Sequence, residues 1–110
     1  MQYQPVINAQ SGPLPLKGTF TADSDLTMLL FVSGSAWTKV PGEWAGCEVY
    51  LDGNLLGVAA VFCNEANSHR ALIPTFFPIK VNFGNHTISL SPIGGTQSDG
   101  NDYFNAIVIS

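Results

Sequence analysis

The sequence predicts a single all-β domain, a sandwich or closed barrel of eight or nine short strands, and three observations carry that prediction. Asp52-Gly53-Asn54 separates two β-rich runs, Gly46–Leu51 and Leu55–Cys63, and Asp-Gly is a strong hairpin signal because both central turn positions need positive φ. Leu26–Ala36 (LTMLLFVSGSA) is apolar at both parities: Leu26, Met28, Leu30 and Val32 share one face, Leu29 and Phe31 the other. Lost alternation of that kind means burial on both sides of a strand. Finally, no segment carries a 3.6-residue period, while Gly, Pro and Asn turns recur along the whole chain.

The elements follow in order. Tyr3 to Asn8 reads as an edge strand, because Pro5 is tolerated only where a ladder hydrogen bond is missing. Ser11–Pro15 is a loop, Lys17–Thr21 a short strand and Asp23-Ser24-Asp25 a turn. After the apolar strand, Trp37–Ala45 (WTKVPGEWA) reads as a long loop around Pro41-Gly42, a type II turn signal. The hairpin is followed by a polar turn, Asn64–Ser68, and a long strand His69–Val81 with candidate breaks at Pro74 and Pro78. Asn85–Pro92 alternates His86, Ile88 and Leu90 against Thr87, Ser89 and Ser91, a half-buried strand with a hydroxyl face. Ile93–Asn101 is a Gly/Ser/Thr/Asp loop, and Tyr103–Ile109 is the closing strand.

At 110 residues the chain builds one core without staples. Charged residues are 11% of it, against about 25% in an average soluble domain. A surface so poor in charge is expected to be covered in part by other subunits, and the Leu29/Phe31 face is the natural place. The alternative is a surface solvated by hydroxyl and amide side chains. Net charge is −4, and Lys17, Lys39, Arg70 and Lys80 are the only Lys and Arg residues. Four scattered cations make no phosphate-neutralising patch, so nucleic-acid binding is set aside. No apolar run approaches the ~20 residues of a membrane span, and the Met1–Pro5 start lacks the pattern of a signal peptide. A soluble chain without an export signal is expected, with no membrane insertion and an unassigned location.

If Leu51 pairs with Leu55 across the turn, Cys47 faces Ala59 and Cys63 faces Glu43. The thiols then share a face about four residues, some 13 Å, apart, whereas a disulfide needs Cα atoms within about 7 Å. Two free buried thiols are expected, and no metal pair.

Chemistry is fainter. A Ser-His-Asp set is formally available from His69 or His86 with Asp99 or Asp102, but no nucleophile elbow places a serine beside a base. His86 has the parity of a hydrogen-bonded strand histidine. Glu43, Glu48, Asp99 and Asp102 offer carboxylate pairs of the glycosidase kind at chance level. Asp99-Gly100-Asn101-Asp102 is the densest oxygen cluster. Calcium would use such oxygens, though the EF-hand spacing is missing, and an Asx turn bonding its own backbone is the preferred reading. Asn64, Glu65, His69 and Arg70 form a second polar cluster, in which an Arg70–Glu65 ion pair is expected. Trp37, Trp44 and Tyr103 could supply aromatic platforms, or the tryptophans could plug the end of the sandwich. Sugars need both kinds of group, a ring face for C–H surface and short polar side chains for hydroxyls. Asn85-His86-Thr87 is an acceptor pattern for glycosylation that, without export, reads as coincidence.

The order of elements resembles the jelly-roll sandwiches of the TNF/C1q-like class, small bacterial lectins among them. The resemblance rests on the two-faced strand Leu26–Val32, the Asp52-Gly53-Asn54 hairpin, Gly84-Asn85-His86-Thr87 entering a strand, and the aromatic closing strand Tyr103–Ile109. It implies an antiparallel jelly-roll β-sandwich assembling as a trimer, with ligand sites near subunit junctions, and it carries over no site residue. The expectation is therefore a non-catalytic, lectin-like carbohydrate-binding module acting as a homo-oligomer. Trp37, Trp44, Asn64, Glu65, His69, Arg70, Asp99, Asn101, Asp102 and Tyr103 are its candidate contacts. A trimerising structural head or appendage module with no small ligand is the alternative.

Overall fold

The structure, a computed structural model, describes residues 2–110. Ten strands are arranged in two antiparallel sheets: β1 (Tyr3–Ser11), β2 (Leu16–Ala22), β3 (Leu26–Thr38), β4 (Glu43–Leu51), β5 (Asn54–Cys63), β6 (Arg70–Ala71), β7 (Thr75–Val81), β8 (Gly84–Pro92), β9 (Thr96–Gln97) and β10 (Tyr103–Ile109). One sheet runs β1-β10-β3, with β7, β6 and β9 each pairing along β3; the other runs β2-β8-β4-β5. This is the antiparallel, jelly-roll-like sandwich, with ten strands against the eight or nine expected, β6 and β9 having two residues each. No helix of the described residues is long and apolar enough to cross a membrane.

The core is made by alternation. Met28, Leu30, Val32 and Ala36 of β3 and Phe104, Ala106 and Val108 of β10 point inward against Cys47, Val49, Ile88 and Leu90 of the other sheet, all fully or nearly fully buried. Gly34 lies in this layer because a Cβ there would run into the Phe104 ring. Deleting that ring would leave a large void between sheets.

The hairpin forms where expected, with one change of register. Asp52 and Gly53 sit at φ +50° and +83°, the geometry of a two-residue primed turn, which twists as the flanking strands do. Leu51 therefore pairs with Asn54, and Tyr50 with Leu55, rather than Leu51 with Leu55. A register shift between Val49 and Tyr50 restores the count, so that Cys47 faces Ala59 and Cys63 faces Glu43 as expected. Both thiols are free and buried, and burial pushes the Cys47 thiol up to about 12.

Two other boundaries differ from expectation. The segment beginning at Trp37 is not a long loop: β3 continues through Thr38 and β4 begins at Glu43, leaving a four-residue turn, residues 39–42, with Gly42 at φ +83°. Tertiary partners extend β3, since Trp37 and Thr38 pair with Gln97 and Thr96 of β9. The strand after His69 breaks at Pro74, whereas Pro78 stays inside β7 opposite Leu29. β7 pairs along β3, and an outer strand accommodates a missing donor.

Extending β3 also defines its outward face: Leu29, Phe31, Ser33, Ser35 and Trp37. At one end of this face two registered apolar rows cross four strands. Tyr3, Ile109, Leu29 and Pro78 form the first, and Pro5, Ile107, Phe31 and Phe76 the second. Tyr3, Leu29 and Phe76 are exposed, and Phe31 stacks on Phe76 at 4.9 Å between centroids. Beyond Ser33 and Asn105 the same face turns polar.

Candidate functional site

The polar end of that face is organised around Asp102, a carboxylate with 0% exposure. A buried charge is expensive unless it is hydrogen-bonded, and three donors converge on this one. Ser35 Oγ–H donates to Oδ1 at 2.7 Å, His69 Nδ1–H donates to Oδ1 at 2.8 Å, and the Asp99 backbone N–H donates to Oδ2 at 2.9 Å. Ser35 comes from β3, on the face that also carries Trp37, and His69 from the residue preceding β6. Asp102 is held by the loop before β10. That loop is tied down in turn: Gly12 N–H donates to the Asp102 carbonyl at 2.7 Å and Leu14 N–H to Ser98 Oγ at 2.9 Å.

Asp99 makes the expected Asx turn, its Oδ1 accepting the Asn101 N–H at 2.8 Å. Its Oδ2 stands 3.8 Å from His69 Nε2, and both side chains remain about two-fifths exposed. The Trp37 ring packs beside the imidazole, 5.6 Å between centroids. The hydrogen bond to Asp102 holds the His69 pKa above its ordinary value of 6.5, against a smaller opposing push from partial desolvation. His69 Nε2, Asp99 Oδ2 and the Trp37 edge thus form a small charged step on a rigid sheet. Ligand atoms of His69, Asp99 and Asp102 lie within 4.8 Å of one another, a set that could hold a metal ion.

The second histidine, on the other sheet, is spent internally. His86 Nδ1–H donates to Asp52 Oδ2 at 2.6 Å and Nε2–H to the Asn82 carbonyl at 2.7 Å, while Asp52 Oδ1 accepts the Thr87 N–H at 2.8 Å. With both ring nitrogens donating, the imidazolium is favoured, and the pKa is raised first by Asp52 and then by the Asn82 carbonyl. For Asp52, partial burial raises the pKa, but the bonds from His86 and Thr87 outweigh it and the net shift is downward. This is the hydrogen-bonded strand histidine that parity predicted.

Of the sequence candidates, Trp37, His69, Asp99 and Asp102 come together, with Asn101 beside them through its backbone and Tyr103 exposed at the start of β10. Trp44 does not join them. It stands exposed on β4 of the other sheet, edge-on to Phe62 at 5.4 Å. Asn64 and Glu65 lie on an exposed turn and make no hydrogen bond to the cluster. The expected Arg70–Glu65 ion pair is absent, since the ion pairs among the described residues are all His–Asp, and Arg70 Nε is buried without a partner. Trp37 Nε1 is likewise buried and unpartnered. Sequence reasoning missed Ser35. Its parity with Trp37 was the available signal, hidden by ending the strand at Ala36.

The cluster is not a hydrolytic relay. Ser35 and His69 both donate to the same carboxylate oxygen, so His69 does not accept the serine proton as the imidazole of a Ser-His-Asp relay would.

No family model matches the chain, and no curated protein matches it. Solved structures do. A family 35 carbohydrate binding module from Clostridium thermocellum aligns over 98% of this chain and 88% of its own, at 13% identity and a TM-score of 0.56. The EclA C-terminal domain, a sugar-binding protein, aligns over 97% of this chain and 72% of its own, at 20% identity and a TM-score of 0.54. The dimeric latent PorU of Porphyromonas gingivalis aligns over 99% of this chain but only 13% of its own, at 9% identity and a TM-score of 0.63. These likenesses establish the fold: a jelly-roll-like sandwich of the kind seen in carbohydrate-binding modules rather than specifically the TNF/C1q-like class.

Proposed function

We propose that the protein is a non-catalytic, lectin-like carbohydrate-binding module whose site is the His69–Asp99 step beside Trp37. One observation carries the reading: a donor and an acceptor of opposite charge, 3.8 Å apart, anchored by a buried carboxylate and flanked by an indole. Adjacent sugar hydroxyls take such a pair as donor and acceptor at once, and the ring covers C–H surface. The EclA C-terminal domain, a sugar-binding protein on the same fold, supports the reading. Tyr103 and Asn101 extend the site along β10 and its loop, while Trp44, Asn64, Glu65 and Arg70 fall outside it.

Assembly belongs to the same proposal. The two apolar rows around Leu29 and Phe31 carry no charged residue, so a second copy meets no like-charge cost there, and the trimer implied by the sequence resemblance remains the expected stoichiometry. Multiple copies would turn weak sites into avidity. Light scattering at micromolar concentration tests this: a mass of about three chains is expected, and a monomer unaffected by Phe31→Ser would refute assembly through this face.

A glycan array in calcium and again in EDTA tests the binding. Retention of a glycan that Trp37→Ala and Asp99→Asn both lose is the expected result. Binding lost in EDTA and restored by calcium would assign calcium to Asp99–Asp102. No glycan bound under either condition would refute the sugar reading in favour of a structural head.

A further inference from the structure

We propose that His69 Nε2 and Asp99 Oδ2 form an open site for a first-row divalent cation, zinc being the best fit, with Asp102 acting behind the imidazole as the carboxylate that orients it. The proposal uses the same residues as the sugar reading but does not depend on it, because the ion alone is the ligand.

The geometry is that of a metal-binding histidine. In such sites one ring nitrogen binds the ion while the other donates to a carboxylate, which fixes the tautomer and strengthens the ligand. Here Nδ1–H is committed to Asp102 at 2.8 Å, and Asp102 is held immobile by Ser35 and the Asp99 N–H. With the ring neutral, that bond leaves the lone pair at Nε2, the nitrogen on the Asp99 side. Two ligands of one zinc ion, at about 2.0–2.2 Å each, stand about 3–4 Å apart, and Nε2 and Asp99 Oδ2 are 3.8 Å apart. His86 offers the internal contrast, since both its nitrogens are occupied.

The donor set also selects the ion. Imidazole with carboxylate suits zinc and its neighbours. Calcium needs six to eight oxygens, and here Asp99 Oδ1 and both oxygens of Asp102 already accept hydrogen bonds. With two protein ligands, both partly exposed, the remaining positions belong to water, so the ion is exchangeable.

Isothermal titration of the metal-free protein with zinc chloride, and separately with calcium chloride, tests the assignment without any sugar. One zinc per chain is expected, with calcium at least tenfold weaker, and His69→Gln or Asp99→Asn lowering zinc affinity at least tenfold. Because Asp102→Asn disturbs a buried carboxylate, nitrogen NMR of the wild-type protein supplies the second reading. Zinc should move the His69 Nε2 resonance and leave both His86 nitrogens in place. Zinc that moves neither histidine, calcium that binds as tightly as zinc, or His69→Gln and Asp99→Asn variants of unchanged zinc affinity would overturn the proposal. A glycan array that fails while zinc binds would sink only the sugar reading.

Discussion

His86 and His69 each donate a ring N–H to an aspartate, at 2.6 and 2.8 Å, and each is raised above its ordinary pKa by that bond, yet the two pairs differ in what they leave free. At His86 the turn residue Asp52 receives the imidazole and the Thr87 N–H together, the second ring nitrogen closes onto Asn82, and the pair joins the hairpin to the start of β8. At His69 the carboxylate is the buried partner, the imidazole is the exposed one, and its second nitrogen faces Asp99 at a distance too long for a hydrogen bond. A His–Asp pair closed on both sides is a structural clamp. One closed on a single side presents a ligand atom from a fixed mount.

Removing the two aspartates should separate the roles most strongly. Asp102→Ala leaves the Ser35 hydroxyl, His69 and the Asp99 N–H without their acceptor in a dry site. The expected loss is about 3 kcal/mol by urea denaturation. Asp52→Ala removes a partly exposed partner and should lose about 1 kcal/mol. Equal losses would erase the distinction.

Protonation gives a smaller effect with a definite sign. Each histidine gains its partner on folding, so its contribution is fully present below the ordinary value of 6.5 and is lost as pH rises through the higher folded value. Asp52 runs the other way: its contribution is present above 3.8 and is lost as pH falls through its lowered folded value. Proton NMR should show both histidines titrating above 6.5, and His86→Gln should flatten the stability decline on the alkaline side more than His69→Gln does. A His86 resonance titrating below 6.5 would show that the clamp does not favour the imidazolium.

The smallest expected stability change belongs to Asp99→Asn, within about 0.5 kcal/mol because the side chain is partly exposed and the amide oxygen can still accept the Asn101 N–H. A large destabilisation would make Asp99 a structural residue rather than a ligand-facing one.

Much of the fold was legible in the chain because its signals are local. Asp52-Gly53 specified the turn, alternation in Asn85–Pro92 placed His86 correctly, and the closing strand Tyr103–Ile109 has its expected bounds. The register was less legible: a primed turn holds two residues, and only a compensating shift near Val49 restored the pairing of Cys47 with Ala59. The site was half legible. The Asx turn at Asp99 is a sequence-local feature, but the full burial of Asp102 three residues on is not. Its three donors come from residues 33, 67 and 3 positions away along the chain, and nothing in local sequence announces the first two.

The sequence by itself determined the class of the fold, the hairpin, the strand parities and the free thiols, since each follows from steric preference or a period of two. Only the tertiary structure decided that β3 runs on through Trp37, that Trp37 and Trp44 stand on different sheets, and that of two histidines one is enclosed and the other open. Those outcomes depend on which strands meet at each end of the sandwich, and long-range pairing of that kind is set by burying the whole core at once.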